Sequence, residues 1–216
     1  MMFQPRDTKI VDIHKKRIQD LIITGLNGKH ILDVGCGQGD FLQCTKDQNY
    51  IPYGVDISKT VVRNLRRRGI AAYISLSRLK IKFNAITAFD VIEHTTDPNE
   101  FIRKIIKNLK EKGLFMVTTP NIGGISGTLL KDKWWVLGPE GHYVLFNVES
   151  LTFLLKKNGF KIKMVSTDMI TQWLTPNNNL FTKLINKFVY VLLFPFNQLL
   201  FQHNLGDNIQ IICQFG

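Results

Sequence analysis

Ile31-Leu32-Asp33-Val34-Gly35-Cys36-Gly37-Gln38-Gly39-Asp40-Phe41-Leu42 runs from a short apolar segment through three alternate glycines into a second apolar segment. The order reads as a buried strand, a tight turn and the start of a helix. Glycine suits such a turn because it tolerates positive φ and lets a ligand touch the backbone. Taken alone, a G-x-G-x-G turn serves a dinucleotide, a nucleoside or chain geometry only, so its surroundings decide. The next apolar run closes with Gly54-Val55-Asp56-Ile57-Ser58, which sets a carboxylate 17 positions beyond Gly39. A carboxylate at a strand tip can accept hydrogen bonds from both hydroxyls of a ribose. The spacing therefore points to a ligand that contains adenosine.

Outward from this segment, short and often β-branched runs recur at Ile31 to Val34, Tyr53 to Ile57, Ala71 to Leu76, Ala85 to Val91 and Leu114 to Thr118. Segments of helical character lie between most of them, and the alternation predicts βαβ units around a mainly parallel sheet, an α/β fold wound on both faces. An N-terminal amphipathic helix is predicted over about 8–24 from Ile10, Ile13, Ile18, Leu21 and Ile22, ending near Gly25. A second helix follows Asp97-Pro98-Asn99 and buries Phe101, Ile102, Ile105, Ile106 and Leu109, with Lys112-Gly113 as its stop. A third follows Asn147 to Ser150 and stops at Asn158-Gly159, and Ile162 to Ser166 and Ile209 to Gln214 read as the last two strands.

The 216 residues, 44% of them hydrophobic, suit one domain over 1–216. Three cysteines without C-x-x-C spacing suggest neither a disulfide framework nor a zinc site, and they fit a reducing cytoplasm. Met1 to Lys9 is polar and reads as mature sequence rather than a secretory signal. The net charge of +11 favours polyanionic or phosphate-bearing partners, or serves solubility alone. Arg63 and Arg66-Arg67-Arg68 read as cations at a helix C-terminus; without interleaved aromatics they suggest no nucleic-acid partner. The hydrophobic insertion at about 180–202, with Phe188 to Phe196 at its centre, is short of the ~20 apolar residues of a spanning helix. It is expected either to cap the pocket or to make peripheral membrane contact, beside Lys183 and Lys187.

Ile31 to Leu42 resembles motif I of class I S-adenosylmethionine-dependent methyltransferases, whose pattern places an acid before G-x-G-x-G. Gly54 to Ser58 resembles the acidic motif after the second strand, Phe89-Asp90-Val91-Ile92-Glu93-His94 the fourth-strand block, and Leu109 to Asn121 the fifth strand with its closing Pro-Asn. Gly141 to Phe146, followed by Ser150-Leu151, is similar to the substrate-side region of the subfamily that includes ubiquinone-biosynthesis O-methyltransferases. The resemblance implies a Rossmann-like seven-stranded sheet in the order 3-2-1-4-5-7-6 with the last strand antiparallel, and S-adenosyl-L-methionine as cofactor.

The same resemblance implies that Asp33, Gly35, Cys36, Gly37 and Gly39 line the methionine end, that Asp56 holds the ribose and that Ile57 packs on the adenine. Phe89 and Asp90 form the floor beside the methyl group. Members often carry an acid after the third strand to accept the adenine amino group; Ser75-Leu76-Ser77 stands there in this chain, and a serine hydroxyl or backbone carbonyl can accept instead. His94 or His142 is the expected general base, since imidazole titrates near neutrality. Tyr143, Trp134 and Trp135 are expected to face the acceptor from a loop over Gly123 to Gly141, unless the tryptophans anchor that loop to the core. In the related ubiquinone enzymes a metal is associated with the positions of Asp90, Glu93 and His94; many relatives carry the same Glu-His without one, and no metal ligand is assigned. The expected acceptor is small or lipid-like and methylated at oxygen. Nitrogen or sugar methylation, and a non-catalytic cofactor sensor, stay open.

Overall fold

The computed structural model describes residues 8–134, 136, 141–168 and 203–216. Trp135 and the 180–202 segment lie outside them. In chain order the elements are α1 (Thr8–Ile23), β1 (His30–Val34), α2 (Asp40–Asp47), β2 (Ile51–Val55), α3 (Lys59–Arg67), β3 (Ala71–Tyr73), β4 (Phe83–Phe89), α4 (Pro98–Asn108), β5 (Leu109–Pro120), α5 (Ile125–Leu130), α6 (Val148–Lys157), β6 (Phe160–Asp168) and β7 (Asn208–Phe215). The seven strands form one sheet in the order β3-β2-β1-β4-β5-β7-β6. Pairs from β3 through β5 are parallel, and β7 runs antiparallel to both neighbours. This is the order and polarity that the resemblance implied.

Period-two alternation assigns the two faces of the sheet. Leu32, Ile86, Phe115 and Val117 point into one core with Ile102 and Ile105 of α4 and Leu151 and Leu155 of α6. Their neighbours Ile31, Ala85, Leu114 and Met116 point into the other, with Ile18 and Leu21 of α1 and Phe41 and Cys44 of α2. The caps match their sequence cues: Asp97 accepts from Glu100 N at 3.0 Å, and Asn147 and Ser150 form a reciprocal capping box. Cys36, Cys44 and Cys213 are buried, and among the described residues no disulfide joins them. Also among those residues, no helix is long and apolar enough to cross a membrane.

Four boundaries depart from expectation. Helix α4 stops at Asn108, and Leu109 instead opens β5 by pairing with Phe83; its apolar side chain serves the core equally from a strand. The sheet edge β3 ends at Tyr73, because Ser75 caps a 3-10 turn over Leu76–Arg78. Strand β4 ends at Phe89, where Asp90 at φ 55° turns the chain into a second 3-10 turn over Ile92–His94. The segment after Gly123 is not irregular throughout: α5 forms there, held by buried Asp207, which accepts from Ser126 N at 2.8 Å and Ser126 Oγ at 2.7 Å.

Candidate active site

The parallel strands β1, β2 and β4 end side by side, where open α/β sheets bind their ligands. The chain leaves β1 through Gly35, Gly37 and Gly39, whose φ angles are 71°, 47° and 80°. A side chain at Gly37 would project into open space. Packing therefore does not demand glycine there; left-handed backbone and an unobstructed approach do. Gly39 N–H closes the turn on Cys36 O at 2.9 Å, and α2 begins at the next residue.

Asp56 leaves the tip of β2 and braces this turn. Its Oδ2 accepts from Gly37 N–H at 3.0 Å and its Oδ1 from Ser58 N–H at 2.9 Å. Each carboxylate oxygen has further acceptor capacity beyond these bonds. Helix α3 is capped by Ser58, so Asp56 is not needed as its cap. Asp56, Gly35, Ile57, Ser75, Leu76 and His94 share the wall of one cavity of about 770 Å³, together with Val34, Ile74, Val91 and Phe101. Ile57 is 94% exposed on that wall, an unusual place for a large aliphatic side chain. Ser75 Oγ lies 2.9 Å from Ser77 Oγ and accepts from Ser77 N–H, so its hydroxyl is already engaged.

Asp33, on β1 just before the turn, is only 3% exposed. Its Oδ1 accepts from Thr87 Oγ1 at 2.7 Å. Burial raises its carboxyl to about 7 against the lowering pull of Thr87 and Arg17. Cys36 takes part in the turn through its backbone, its carbonyl accepting from Gly39 N–H. Its side chain is buried among Leu42, Val62 and Leu65, against Gly54, so only its backbone belongs to the turn. Burial also raises its thiol.

Phe89 and Asp90 stand on the opposite side of the glycine turn. The Phe89 ring meets Phe41 edge-on at 5.0 Å, and the Arg17 guanidinium lies 3.9 Å above its centre. Asp90 is exposed, and its Oδ1 accepts from Thr118 Oγ1 at 3.0 Å. Arg17 was not legible as a site residue. It arrives on α1 as a half-buried cation in the field of Asp90 and Asp33; burial lowers its proton affinity and those acids restore part of it. His14, one turn earlier, packs beside Phe41 and Phe89, and its buried Nδ1 has no hydrogen-bond partner. Burial first, and then Arg17, hold His14 down at about 4. The only cue was helical spacing of α1, which does not say what the helix covers.

The two expected bases meet, and His94 of the pair lines the cavity. The His94 and His142 rings lie 4.6 Å apart, edge to face. His94 Nδ1 is 2.8 Å from Gly141 O, and His142 Nδ1 is 2.7 Å from Val136 O. Beneath them Glu93 is 1% exposed and accepts from Thr119 Oγ1 at 3.0 Å. Burial raises it to about 7, against its backbone hydrogen bond and that threonine. The Glu93 carbonyl accepts from both Tyr143 N–H and Val144 N–H, which holds the 141–144 strand of loop against the turn. Tyr143 is 65% exposed there. Trp134 corrects the expectation of an acceptor-facing ring: at 1% exposure it anchors the loop in the core. Arg68 sits at the C-terminus of α3, as expected, and it also donates to Gln38 O at 2.7 Å and so braces the glycine turn from outside.

A family model described as a methyltransferase domain matches residues 12–165. The chain belongs to that family. The methyltransferase domain is 28% identical over 112 residues to a ubiquinone biosynthesis O-methyltransferase of Glaesserella parasuis, covering 45% of this chain and 48% of that protein. It is 28% identical over 144 residues to a probable S-adenosylmethionine-dependent methyltransferase of Mycolicibacterium smegmatis, covering 63% and 53%. The chain thus spans about half the length of the curated relatives it matches. Its fold is shared with a solved S-adenosylmethionine-dependent methyltransferase from Archaeoglobus fulgidus, at 19% identity, TM-score 0.61 and 94% coverage of each chain. Magnesium protoporphyrin IX methyltransferase from Synechocystis, solved with bound S-adenosylhomocysteine, superposes with TM-score 0.60 at 15% identity, covering all of this chain and 90% of that one.

Proposed function

We propose that this methyltransferase domain transfers a methyl group from S-adenosylmethionine to an oxygen of a small or lipid-like acceptor. The observation that carries the reading is Asp56, a carboxylate that fixes the glycine turn through Gly37 N–H while lining a cavity of about 770 Å³ beside the exposed Ile57. Its spare oxygen lone pairs accept the ribose hydroxyls, and Ile57 covers one face of the adenine. The methionine end runs over Gly37 toward Asp33, where Arg17 receives its carboxylate and Asp33 its ammonium. Phe89 and Asp90 flank the methyl group.

In the reaction the acceptor oxygen attacks the methyl carbon in line with sulfur. The carbon–sulfur bond breaks, its electron pair stays on sulfur, and the product is a neutral thioether. Positioning of the two reactants supplies much of the acceleration, because a bimolecular step becomes effectively unimolecular. The acceptor hydroxyl enters beside Glu93, His94 and His142, and its proton passes to a free imidazole nitrogen there.

Calorimetry with S-adenosylhomocysteine tests the cradle. Asp56→Ala removes two charge-assisted hydrogen bonds, each worth about 1.5–3 kcal/mol, so affinity should fall by roughly 100-fold or more. Undiminished binding by this variant, or no binding by the parent, ends the reading. A labelled-methyl assay on lipid, quinone, sugar and amine acceptors then separates oxygen transfer from its alternatives; binding without turnover on any of them identifies a sensor.

A further inference from the structure

Helix α3 borders a second hollow, of about 530 Å³, lined by Lys59, Arg63, Arg66 and Arg67 together with the aliphatic side chains of Val62 and Ile74. No acid stands in that wall. Positions 59, 63, 66 and 67 of a helix with 3.6 residues per turn fall within an arc of about 100°. The four charges therefore form one stripe facing the hollow. Among the described residues none of the four takes part in an ion pair.

The helix end accounts for only part of this charge. Arg66 and Arg67 stand in the last turn of α3, where cations are favoured. Lys59 opens the helix, at the end where a cation is disfavoured, and Arg63 has like charges at i−4, i+3 and i+4. The stripe thus opposes the helix that carries it, and no described side chain offsets the repulsion. Arg66 is also oriented in advance: its Nε donates to Ala72 O at 2.8 Å, and its guanidinium carbon lies 5.9 Å from the centre of the Tyr73 ring. A cation held in this way has less freedom to lose when a ligand arrives.

We infer that this hollow is an anion site for a ligand that carries a diphosphate group. The planar fork of arginine meets phosphoryl oxygens two at a time, and three arginines converge here. A phosphate ester carries about −1.5 to −2 charge near neutrality, so two phosphoryl groups match four cations where one leaves the stripe half neutralised. Val62 and Ile74 offer an apolar surface to the carbon part of an ester. No aromatic side chain lines the wall to stack a base, which favours a discrete ligand over a single-stranded nucleic acid. Ile74 also lines the cofactor cavity, so the two sites are neighbours. The hollow contains neither the glycine turn nor Asp56, and the inference stands apart from the proposed methyl transfer.

The test is calorimetric titration of the full chain with inorganic pyrophosphate, with S-adenosylhomocysteine present to fill the cofactor cradle. One pyrophosphate per chain is expected, with orthophosphate about 10-fold weaker or more because it engages fewer guanidinium forks. The double variant Arg63→Gln/Arg67→Gln keeps helix propensity while deleting two cations. It should weaken pyrophosphate binding about 10–100-fold through lost charge-assisted bonds. The control Lys156→Gln/Lys157→Gln removes the same charge from α6, which packs beside β6 at the other end of the sheet. At ~0.15 M ionic strength, where charges more than about 8 Å away are largely screened, it should bind within about twofold of the parent. S-adenosylhomocysteine affinity and Tm close to the parent's show that both variants are folded. Uridine diphosphate separates the sources: tighter binding than pyrophosphate, with the same dependence on Arg63 and Arg67, assigns an organic ester, and equal affinity assigns free pyrophosphate. Absence of pyrophosphate uptake overturns the inference, as do orthophosphate binding of equal strength and equal losses in the α6 control. A single-stranded oligonucleotide that displaces pyrophosphate and binds in preference to it overturns the inference in favour of a nucleic-acid backbone. None of those failures touches the cofactor cradle, whose own test is the Asp56 variant.

Discussion

Replacing Asp33 by Asn removes a charge that its buried position tolerates poorly. Asp33 is 3% exposed and keeps its proton up to about pH 7, chiefly because burial disfavours the carboxylate. In the unfolded chain the same group ionises near 3.8. Between those values the folded protein holds a proton that the unfolded chain has released, so stability falls as pH rises through the window. At pH 5 the loss is about 1.7 kcal/mol and at pH 8 about 4 kcal/mol, at 1.36 kcal/mol per pH unit. Asn cannot ionise, and its carbonyl can still accept from Thr87 Oγ1, whose bond to Asp33 is 2.7 Å long. Any fixed cost of the amide is the same at both pH values and cancels in the comparison. The advantage of Asp33→Asn over the parent should therefore grow by about 2.5 kcal/mol between pH 5 and pH 8, which for a chain of this size is roughly 5–10 °C in Tm. The assay is thermal unfolding of both proteins, free of cofactor, at the two pH values. A second arm follows from the proposed role. The cofactor's ammonium makes the charged form of Asp33 favourable, so binding by the parent near pH 7 should release a proton, visible as a buffer-dependent calorimetric enthalpy, and Asp33→Asn should bind weakly with no release. A Tm difference that does not change with pH refutes the electrostatic account.

Ile57→Ala should leave Tm within about 1 °C, since the side chain is 94% exposed and supports nothing in the fold. Losing about 40 Å² of apolar contact with adenine costs about 1 kcal/mol, so S-adenosylhomocysteine affinity should drop roughly fivefold, and an unchanged affinity removes Ile57 from the site. Arg17→Gln deletes the cation 3.9 Å above Phe89 and should weaken S-adenosylhomocysteine binding about 10–100-fold. Free adenosine, which has no methionine carboxylate, should bind Arg17→Gln and the parent alike; equal losses for both ligands would place Arg17 in a general structural role.

The features legible in the sequence are those the local chain dictates. Glycines at 35, 37 and 39 are written into the backbone of the turn, as their positive φ angles show, and the helix caps at Asp97 and Asn147 use residues adjacent to the groups they satisfy. Sheet order followed from resemblance, because no local rule says that β7 inserts between β5 and β6. The misplaced end of α4 has its cause across the sheet. Leu109 is apolar and in phase with Ile102 and Ile105, so periodicity alone extends α4 through it; only its pairing with Phe83 across the sheet makes it a strand residue.

The site divides along the same line. Asp56 could be found because its distance from the glycine turn is a property of a βαβ unit. Arg17 could not, because its meaning comes from Phe89 and Asp90, more than 70 positions away, and one polar residue on an amphipathic helix looks like any other. The same reasoning applies to Trp134, where an aromatic pair in a loop suits either a ligand platform or an anchor, and burial to 1% decides for the anchor. His94 and His142 show the case between. Each was legible as a reactive residue, yet their shared geometry, with both Nδ1 atoms bound to carbonyls and the rings 4.6 Å apart, exists only once Glu93 has drawn Tyr143 and Val144 onto its own carbonyl. The backbone of Glu93 thus holds the loop that carries His142 while its carboxylate lies under both rings. Substitutions of that side chain therefore probe the chemistry of the cluster and leave intact the hydrogen bonds that assemble it.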